Sequence, residues 1–264
     1  MSTSSVFDQP TFSAVPGYVA RLHQTWFLRE TGNVTTALVL SAGGMFAAWE
    51  AGVWRALAGH FHPDLIVGAS GGAWNGWVIA GGATPAELAR EWLEPSVAAI
   101  RMFHGEPLRE KARDLCLRYR PGMPFGLTVV EARRLGVRLV RGPEITWRHL
   151  AATASIPVLF PPVAIDGRRY VDGGLLGALP LWAAQEMGAT RAIAVHCLTG
   201  LPFRMLRAVL RPRPPGPGLQ VTWIVPSQPL GSLRDAICWS RPNIERWIAL
   251  GERDGKSALS SITM

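Results

Sequence analysis

Three short stretches of this chain carry residues that could do chemistry together. The first is Gly68-Ala69-Ser70-Gly71-Gly72, a Gly-x-Ser-x-Gly turn between the apolar run Leu65-Ile66-Val67 and Ala73–Ile79, which reads as a helix. A strand–turn–helix passage of this kind lifts a serine hydroxyl to the top of a parallel sheet, where it can act as a nucleophile. Gly68 and Gly72 flank the serine because the turn is too tight for Cβ atoms beside the strand and helix backbones. The helix start would aim free amides and partial positive charge at any anion forming near Ser70. Taken alone, the pattern fits a glycine-rich turn around a buried serine equally well.

A serine hydroxyl needs a base. The six histidines are His23, His60, His62, His104, His149 and His196. Only His196 lies near the end of a strand and downstream of an aspartate, the order a Ser–Asp–His triad would need. It sits inside the apolar run Ala192–Leu198, which favours a core histidine. Asp172 is the stronger candidate, because it ends a short strand and Gly173-Gly174 lets backbone approach closely. Asp-Gly pairs also make ordinary turns. A carboxylate with a reference pKa of about 3.9 is a poor base, so burial would have to raise that value. The third stretch is Ser41-Ala42-Gly43-Gly44-Met45-Phe46, where a glycine pair offers bare backbone amides to an oxyanion or a phosphate. No GxGxxG and no P-loop lysine accompany it, which argues against nucleotide.

The elements that must position these residues are legible in the apolar pattern. Thr36–Leu40 is a buried strand, followed by a helix through Leu57; Leu65–Val67 is the next strand. Strand, glycine turn and helix, twice over, is the grammar of a parallel sheet covered on both faces. Thr84-Pro85-Ala86-Glu87 is a capping box opening a helix to Leu93, and 106–119 is a basic helix. Leu127–Val130 and Val137–Val140 read as a strand pair, and Glu144–Ser155 as a helix. Val163–Ile165 and Arg168–Val171 flank a turn at Asp166-Gly167. Leu181–Met187 reads as a helix, Arg191–Leu198 and Val221–Val225 as strands, and Asn243–Ser260 as a final helix. Residues 1–33 read as an N-terminal arm with a short helix around Tyr18–Leu28, and 211–218 as a stiff exposed loop.

Composition narrows the function classes. A chain of 264 residues with 48% hydrophobic and 17% charged residues is globular with a generous core. The formal net charge is +8, and nearly all the excess is arginine, since Lys111 and Lys256 are the lysines. That balance suits anionic partners. Without zinc-finger spacing or an RNA-binding aromatic signature, an anionic membrane surface is a better expectation than nucleic acid. Three separated cysteines and no CxxC point to a reducing compartment and no metal site. No secretory leader and no spanning segment are evident, so the expected location is cytoplasmic, with peripheral membrane contact.

Together the three stretches resemble the patatin-like phospholipases. Ser41 through Val53 looks like their glycine-rich oxyanion segment, and Gly68-Ala69-Ser70-Gly71-Gly72 is similar to their nucleophile turn. Ser155-Ile156-Pro157 through Phe160-Pro161-Pro162, with Tyr170-Val171-Asp172-Gly173-Gly174, resembles the segment bearing their catalytic aspartate. The resemblance covers about residues 36–198. It implies a three-layer α/β/α fold with a mostly parallel sheet, in a single domain over 34–264, and lipid ester hydrolysis by a Ser–Asp dyad without histidine, metal or cofactor. Ser70 would be the nucleophile, Asp172 its base, and Gly43 and Gly44 the oxyanion donors. The chain departs from the family in having Ala42 for the first of three glycines and Phe46 for a basic residue. It also has Gly177-Ala178 where asparagines often follow. Phe46 should weaken oxyanion stabilisation or loop ordering, or favour a bulkier acyl chain. A lipid- or protein-binding relative without turnover and an acyltransferase are the rival readings. Oligomeric state is not written in the sequence.

Overall fold

The computed structural model describes residues 34–200 and 213–262, the Ser261 side chain apart. The chain divides into two units, Met1–Val34 and Thr35–Met264. The expected arm over 1–33 lies outside the described residues, as do positions 211 and 212 of the expected stiff loop.

The strands are β1 (Thr36–Leu40), β2 (Leu65–Ala69), β3 (Phe125–Glu131), β4 (Gly136–Arg141), β5 (Val163–Ile165), β6 (Arg168–Asp172), β7 (Arg191–Val195) and β8 (Gln220–Ile224). The helices are α1 (Ala47–Leu57), α2 (Gly71–Ala80), α3 (Pro85–Leu93), α4 (Pro95–Ala98), α5 (Gly105–Arg118), α6 (Trp147–Thr153), α7 (Leu181–Glu186), α8 (Leu233–Ile237) and α9 (Arg241–Ile262). β3, β2, β1, β7 and β8 run parallel, in that order, with antiparallel strands added at β3.

Alternation along the strands builds the two cores. Leu38, Leu40, Ile66, Ile193 and Val195 face one side, where they pack with α1, α2, α3 and α9. Ala37, Val39, Leu65, Val67, Ala192 and Ala194 face the other, against Leu181–Ala184 of α7. Strands buried on both faces read as unbroken apolar runs, which is why their pattern carries no polar side. The sheet is thus covered by helices on both faces, as the resemblance implied.

The register at β3 decides where the site lies. β4 pairs with Gly126–Glu131 along one edge. β2 pairs with Phe125–Thr128 and β6 with Val129–Glu131, so these two must share the other edge, end to end. Ala69 is opposite Thr128 and Asp172 opposite Val129. The residue after β2 is Ser70, and it therefore arrives beside the last residue of β6.

Several expected boundaries move. The helix expected over Glu144–Ser155 is only Trp147–Thr153, because Thr146 is its N-cap and Gly142–Glu144 forms a separate 3-10 turn around Pro143. β7 stops at Val195 instead of Leu198, since the chain turns there and Cys197 donates its N–H to Ser41 Oγ at 3.0 Å. The last helix runs longer at both ends than Asn243–Ser260. The described part of the proline-rich loop is irregular and exposed, yet tied down. Gln185 bonds Gly216 N and Pro217 O, and the Arg213 guanidinium lies 4.2 Å from the Trp182 ring.

The basic helix α5 is not a free cationic face. Lys111 is buried and holds Glu91 and Glu94 at 2.7 Å each, while Arg118 bonds Glu91 and Asp114. These partners hold Glu91 down at about 2, against the burial that would raise it. Glu91, Glu94 and Asp114 come close enough together to suggest a cation site, but Lys111 and Arg118 already occupy that position.

Candidate active site

Ser70 is the N-cap of α2 at φ 53° and ψ −128°, a left-handed conformation that a side chain bearing Cβ rarely adopts. Three contacts hold it there. Its N–H donates to Thr153 Oγ1 at 2.9 Å, and Thr153 in turn donates to the Thr128 carbonyl at 2.8 Å. Its carbonyl accepts from Ala73 and Trp74, the first hydrogen bonds of α2. The glycines make the turn sterically feasible. A Cβ on Gly68 would lie 2.6 Å from Ala73 Cα, and one on Gly72 would overlap the Ser41 carbonyl oxygen. Gly72→Ala should therefore cost more than 3 kcal/mol and remove activity with it, since backbone rather than a flexible side chain must yield. A Tm within about 2 °C of wild type would contradict this packing.

Ser70 Oγ donates directly to Asp172 Oδ2 at 2.7 Å, with no histidine between them. The other carboxylate oxygen, Oδ1, accepts from Gly174 N at 2.6 Å. Asp172 N donates to Ser155 O at 3.0 Å, fixing the end of β6 to the segment after α6. Both side chains are buried, Ser70 at 3% and Asp172 at 4% exposure. Burial pushes the Asp172 carboxyl up to about 7, while its bonds from Ser70 and Gly174 pull the other way. This is the rise that a lone carboxylate needs before it can serve as a base near neutral pH.

The glycine loop stands beside the pair. Gly43 is the N-cap and Gly44 the first residue of a 3-10 turn, Gly44–Phe46, with Gly44 at φ 55°. No hydrogen bond found among the described residues uses the Gly43 or Gly44 amide, nor those of Gly71 and Gly72 at the start of α2. A Cβ on Gly71 would lie 2.8 Å from the Gly44 carbonyl oxygen, so the loop and the helix start are in contact. Ala42 anchors the loop by donating to the Ala178 carbonyl at 2.6 Å, and its methyl fills the space that Gly174 leaves empty. The two departures, Ala42 and Ala178, thus meet each other.

Phe46 is spent on the core. Its ring is 2% exposed and meets Trp247 of α9 edge-on at 5.0 Å, a contact worth roughly 1 kcal/mol beyond the area it buries. Its ring thus packs the end of the glycine loop against α9. His196 lies at the far side of β1 from Ser70, its N–H on the Ile224 carbonyl and its ring 6.4 Å from that of Trp223. Sequence reasoning missed Thr153, Ser155 and Gly71. Gly71 could have been found, since the residue after such a serine commonly supplies an oxyanion amide.

A strained serine turn on a mostly parallel sheet covered by helices on both faces defines an α/β protein with a serine elbow. The chain belongs to the patatin-like phospholipase family, whose model matches residues 38–184. Patatin-like phospholipase domain-containing protein 7 of Rattus norvegicus is 29% identical over 192 residues, 62% of this chain and 14% of that protein. Patatin-like phospholipase domain-containing protein 6 of Homo sapiens is 30% identical over 191 residues, 62% of this chain and 13% of that one. An uncharacterized NTE family protein of Mycobacterium tuberculosis is 29% identical over 183 residues, 64% of this chain and 50% of its own. The match thus spans about one seventh of the mammalian relatives and half of the mycobacterial one. Among solved structures, VipD from Legionella pneumophila shares the fold with a TM-score of 0.52 at 11% identity, covering 88% of this chain and 68% of that chain.

Proposed function

We propose that this protein hydrolyses acyl esters of lipids through a Ser70–Asp172 dyad. The observation that carries the reading is the direct 2.7 Å hydrogen bond from Ser70 Oγ to a buried carboxylate poised at about 7. Ser70 Oγ attacks the ester carbonyl as its proton passes to Asp172 Oδ2, and the carbonyl oxygen becomes an oxyanion. The amides of Gly43 and Gly44, joined by Gly71 at the positive end of α2, stabilise that charge. Asp172 returns the proton to the departing alcohol, leaving an acyl-Ser70 ester. A water then gives its proton to Asp172 and attacks, and the fatty acid leaves as Ser70 regains its hydrogen. An alcohol in place of that water makes the same site an acyltransferase.

The test is a lipid panel, phospholipids, lysophospholipids and acylglycerols, read by mass spectrometry with and without glycerol as acceptor. Free fatty acid that vanishes in Ser70→Ala supports the hydrolase. Acylated glycerol in its place would show a transferase, and no product from any lipid would favour the binding protein.

For contact with an anionic bilayer we propose the rim at Phe103 and Val158. Among the described residues no helix is long and apolar enough to cross a membrane. Phe103 and Val158, at φ 67° and 71°, hold apolar side chains 69% and 87% exposed. Their loops are joined by Phe103 N donating to Leu159 O at 2.7 Å. Val158 lies three residues after Ser155, the residue that holds Asp172, so this rim adjoins the dyad. Arg101 flanks it, with no acidic partner among the described ion pairs. Phe103→Ser with Val158→Ser should weaken binding to phosphatidylglycerol vesicles at least tenfold in sedimentation, and added salt should weaken the wild type. Equal binding to phosphatidylcholine vesicles would refute an anionic surface.

A further inference from the structure

Beneath the glycine loop lies a buried acid that the dyad does not use. Glu50, in the first turn of α1, is 1% exposed. Its Oε1 accepts from both the backbone N–H and the hydroxyl of Ser41, each at 2.9 Å, the N–H being shared with the Val195 carbonyl at 3.1 Å. Its Oε2 accepts from Asn75 Nδ2 at 3.2 Å, and Asn75 is itself fixed by Ala47 O and by Trp92 Nε1. Ser41 Oγ accepts in turn from Cys197 N at 3.0 Å, while the Cys197 thiol fills the space where a Gly43 Cβ would be. Strand β1, helices α1 and α2, and the end of β7 are therefore all tied to Ser41, two residues before Gly43.

We propose that Glu50 is the positioning residue of the oxyanion loop, holding Ser41 by two hydrogen bonds and so directing the Gly43 and Gly44 amides at the ester oxygen. The inference rests on the acyl-hydrolase reading above. Among the described residues the amides of Gly43 and Gly44 meet no backbone carbonyl. Their direction therefore follows from the anchors just before them. These are the Val195 and Ala178 carbonyls, which take the N–H groups of Ser41 and Ala42, and Glu50, the side chain that takes both Ser41 donors. A wrongly aimed amide costs rate and not ground-state binding, because the oxyanion exists only in the transition state.

The charge of Glu50 follows from its surroundings. Burial pushes its carboxyl to about 8, with the Ser41 and Asn75 donors opposing. Several titratable groups lie on the elements packed against α1. The Cys197 thiol, raised well above its ordinary value by burial and by Glu50, comes from the end of β7. Asp254 of α9 accepts from Trp49 Nε1, and Glu252 of α9 pairs with Arg55. Glu91 of α3 is taken by Lys111 and Arg118. Among the described residues no cation pairs with Glu50, the cations named here being held by Glu252, Glu91, Glu94 and Asp114. Near pH 7 the acid is largely neutral and does not oppose an oxyanion. As pH rises through about 8 it ionises, and turnover falls.

The experiment compares Glu50→Leu, Glu50→Gln and Ser41→Ala with wild type, using p-nitrophenyl butyrate from pH 6 to 9.5 and thermal melts as the check on folding. Leu at position 50 should lower kcat about 100-fold with KM within twofold. Gln, which still offers Ser41 an acceptor but denies one to Asn75, should recover at least tenfold of that loss and lack the alkaline decline. Ser41→Ala should lower kcat about tenfold, again at constant KM. Wild-type kcat in a folded Glu50→Leu protein would overturn the proposal. If that variant does not fold, a wild-type alkaline limb in Glu50→Gln together with unchanged kcat in Ser41→Ala overturns it. Hydrolysis persisting in Ser70→Ala would instead sink the dyad reading and leave no oxyanion for Glu50 to serve.

Discussion

Ser70→Ala is expected to reduce ester hydrolysis to background, a loss of roughly 10⁴-fold to 10⁶-fold, while the protein folds as before. Among the described residues the hydroxyl makes one hydrogen bond, to Asp172. Alanine carries the same Cβ in the same left-handed backbone, so the turn gains no new strain. The Ser70 N–H still reaches Thr153. What the variant loses is the proposed nucleophile, the one hydroxyl that bonds Asp172 among the described residues. Wild type should react stoichiometrically with a fluorophosphonate probe, and the alanine variant should not. A well-folded Ser70→Ala protein that keeps a tenth of its activity would exclude the acyl-serine route.

Asp172→Asn is expected to lower kcat by about 10³-fold to 10⁴-fold and, at the same time, to raise stability at alkaline pH. The rate falls because an amide cannot take the serine proton. The wild-type rate should climb as pH passes about 7, where Asp172 ionises, and the asparagine variant should lose that limb. The sign of the stability effect follows from linkage. The carboxyl titrates near 3.8 when unfolded and near 7 when folded. Above 3.8 the unfolded chain releases a proton that the folded chain retains, so stability drains away between about pH 4 and 7 and stays lost above. Asparagine has no such cost, and after the altered hydrogen bonds to Ser70 and Gly174 are set against it a net gain of about 1–3 kcal/mol remains. Melts at pH 4 and pH 8 test this, with a Tm difference in favour of the variant expected only at pH 8. His196→Ala, by contrast, should keep its turnover, since the imidazole contacts neither Ser70 nor Asp172. Inactivation of folded His196→Ala would restore a triad.

These effects divide along what can and cannot be read from the chain. The elbow was visible because its geometry is local: a strand, a tight glycine turn and a helix fall within fifteen residues, and sterics decide each of them. The capping box at Thr84 and the left-handed pair Asp166-Gly167 were legible for the same reason. Lys111 was not. It sits in a stretch that reads only as a basic helix, and the approach of α3 to α5 supplies the carboxylates that allow it to be buried. Phe46 likewise looked like a missing cation until α9, some two hundred residues on, brought Trp247 against it.

The amino-acid order determined that this chain forms a sheet covered on both faces, with a strained serine at one strand end and an aspartate at another. Apolar alternation and backbone sterics act over a few residues, and they need no knowledge of the rest of the molecule. Whether those two side chains touch, and in which protonation state, was decided by register. β2 and β6 abut along one edge of β3, and the burial this creates both brings Asp172 to Ser70 and raises its proton affinity. Distance and desolvation are properties of the packed whole, so they become available only once distant segments meet.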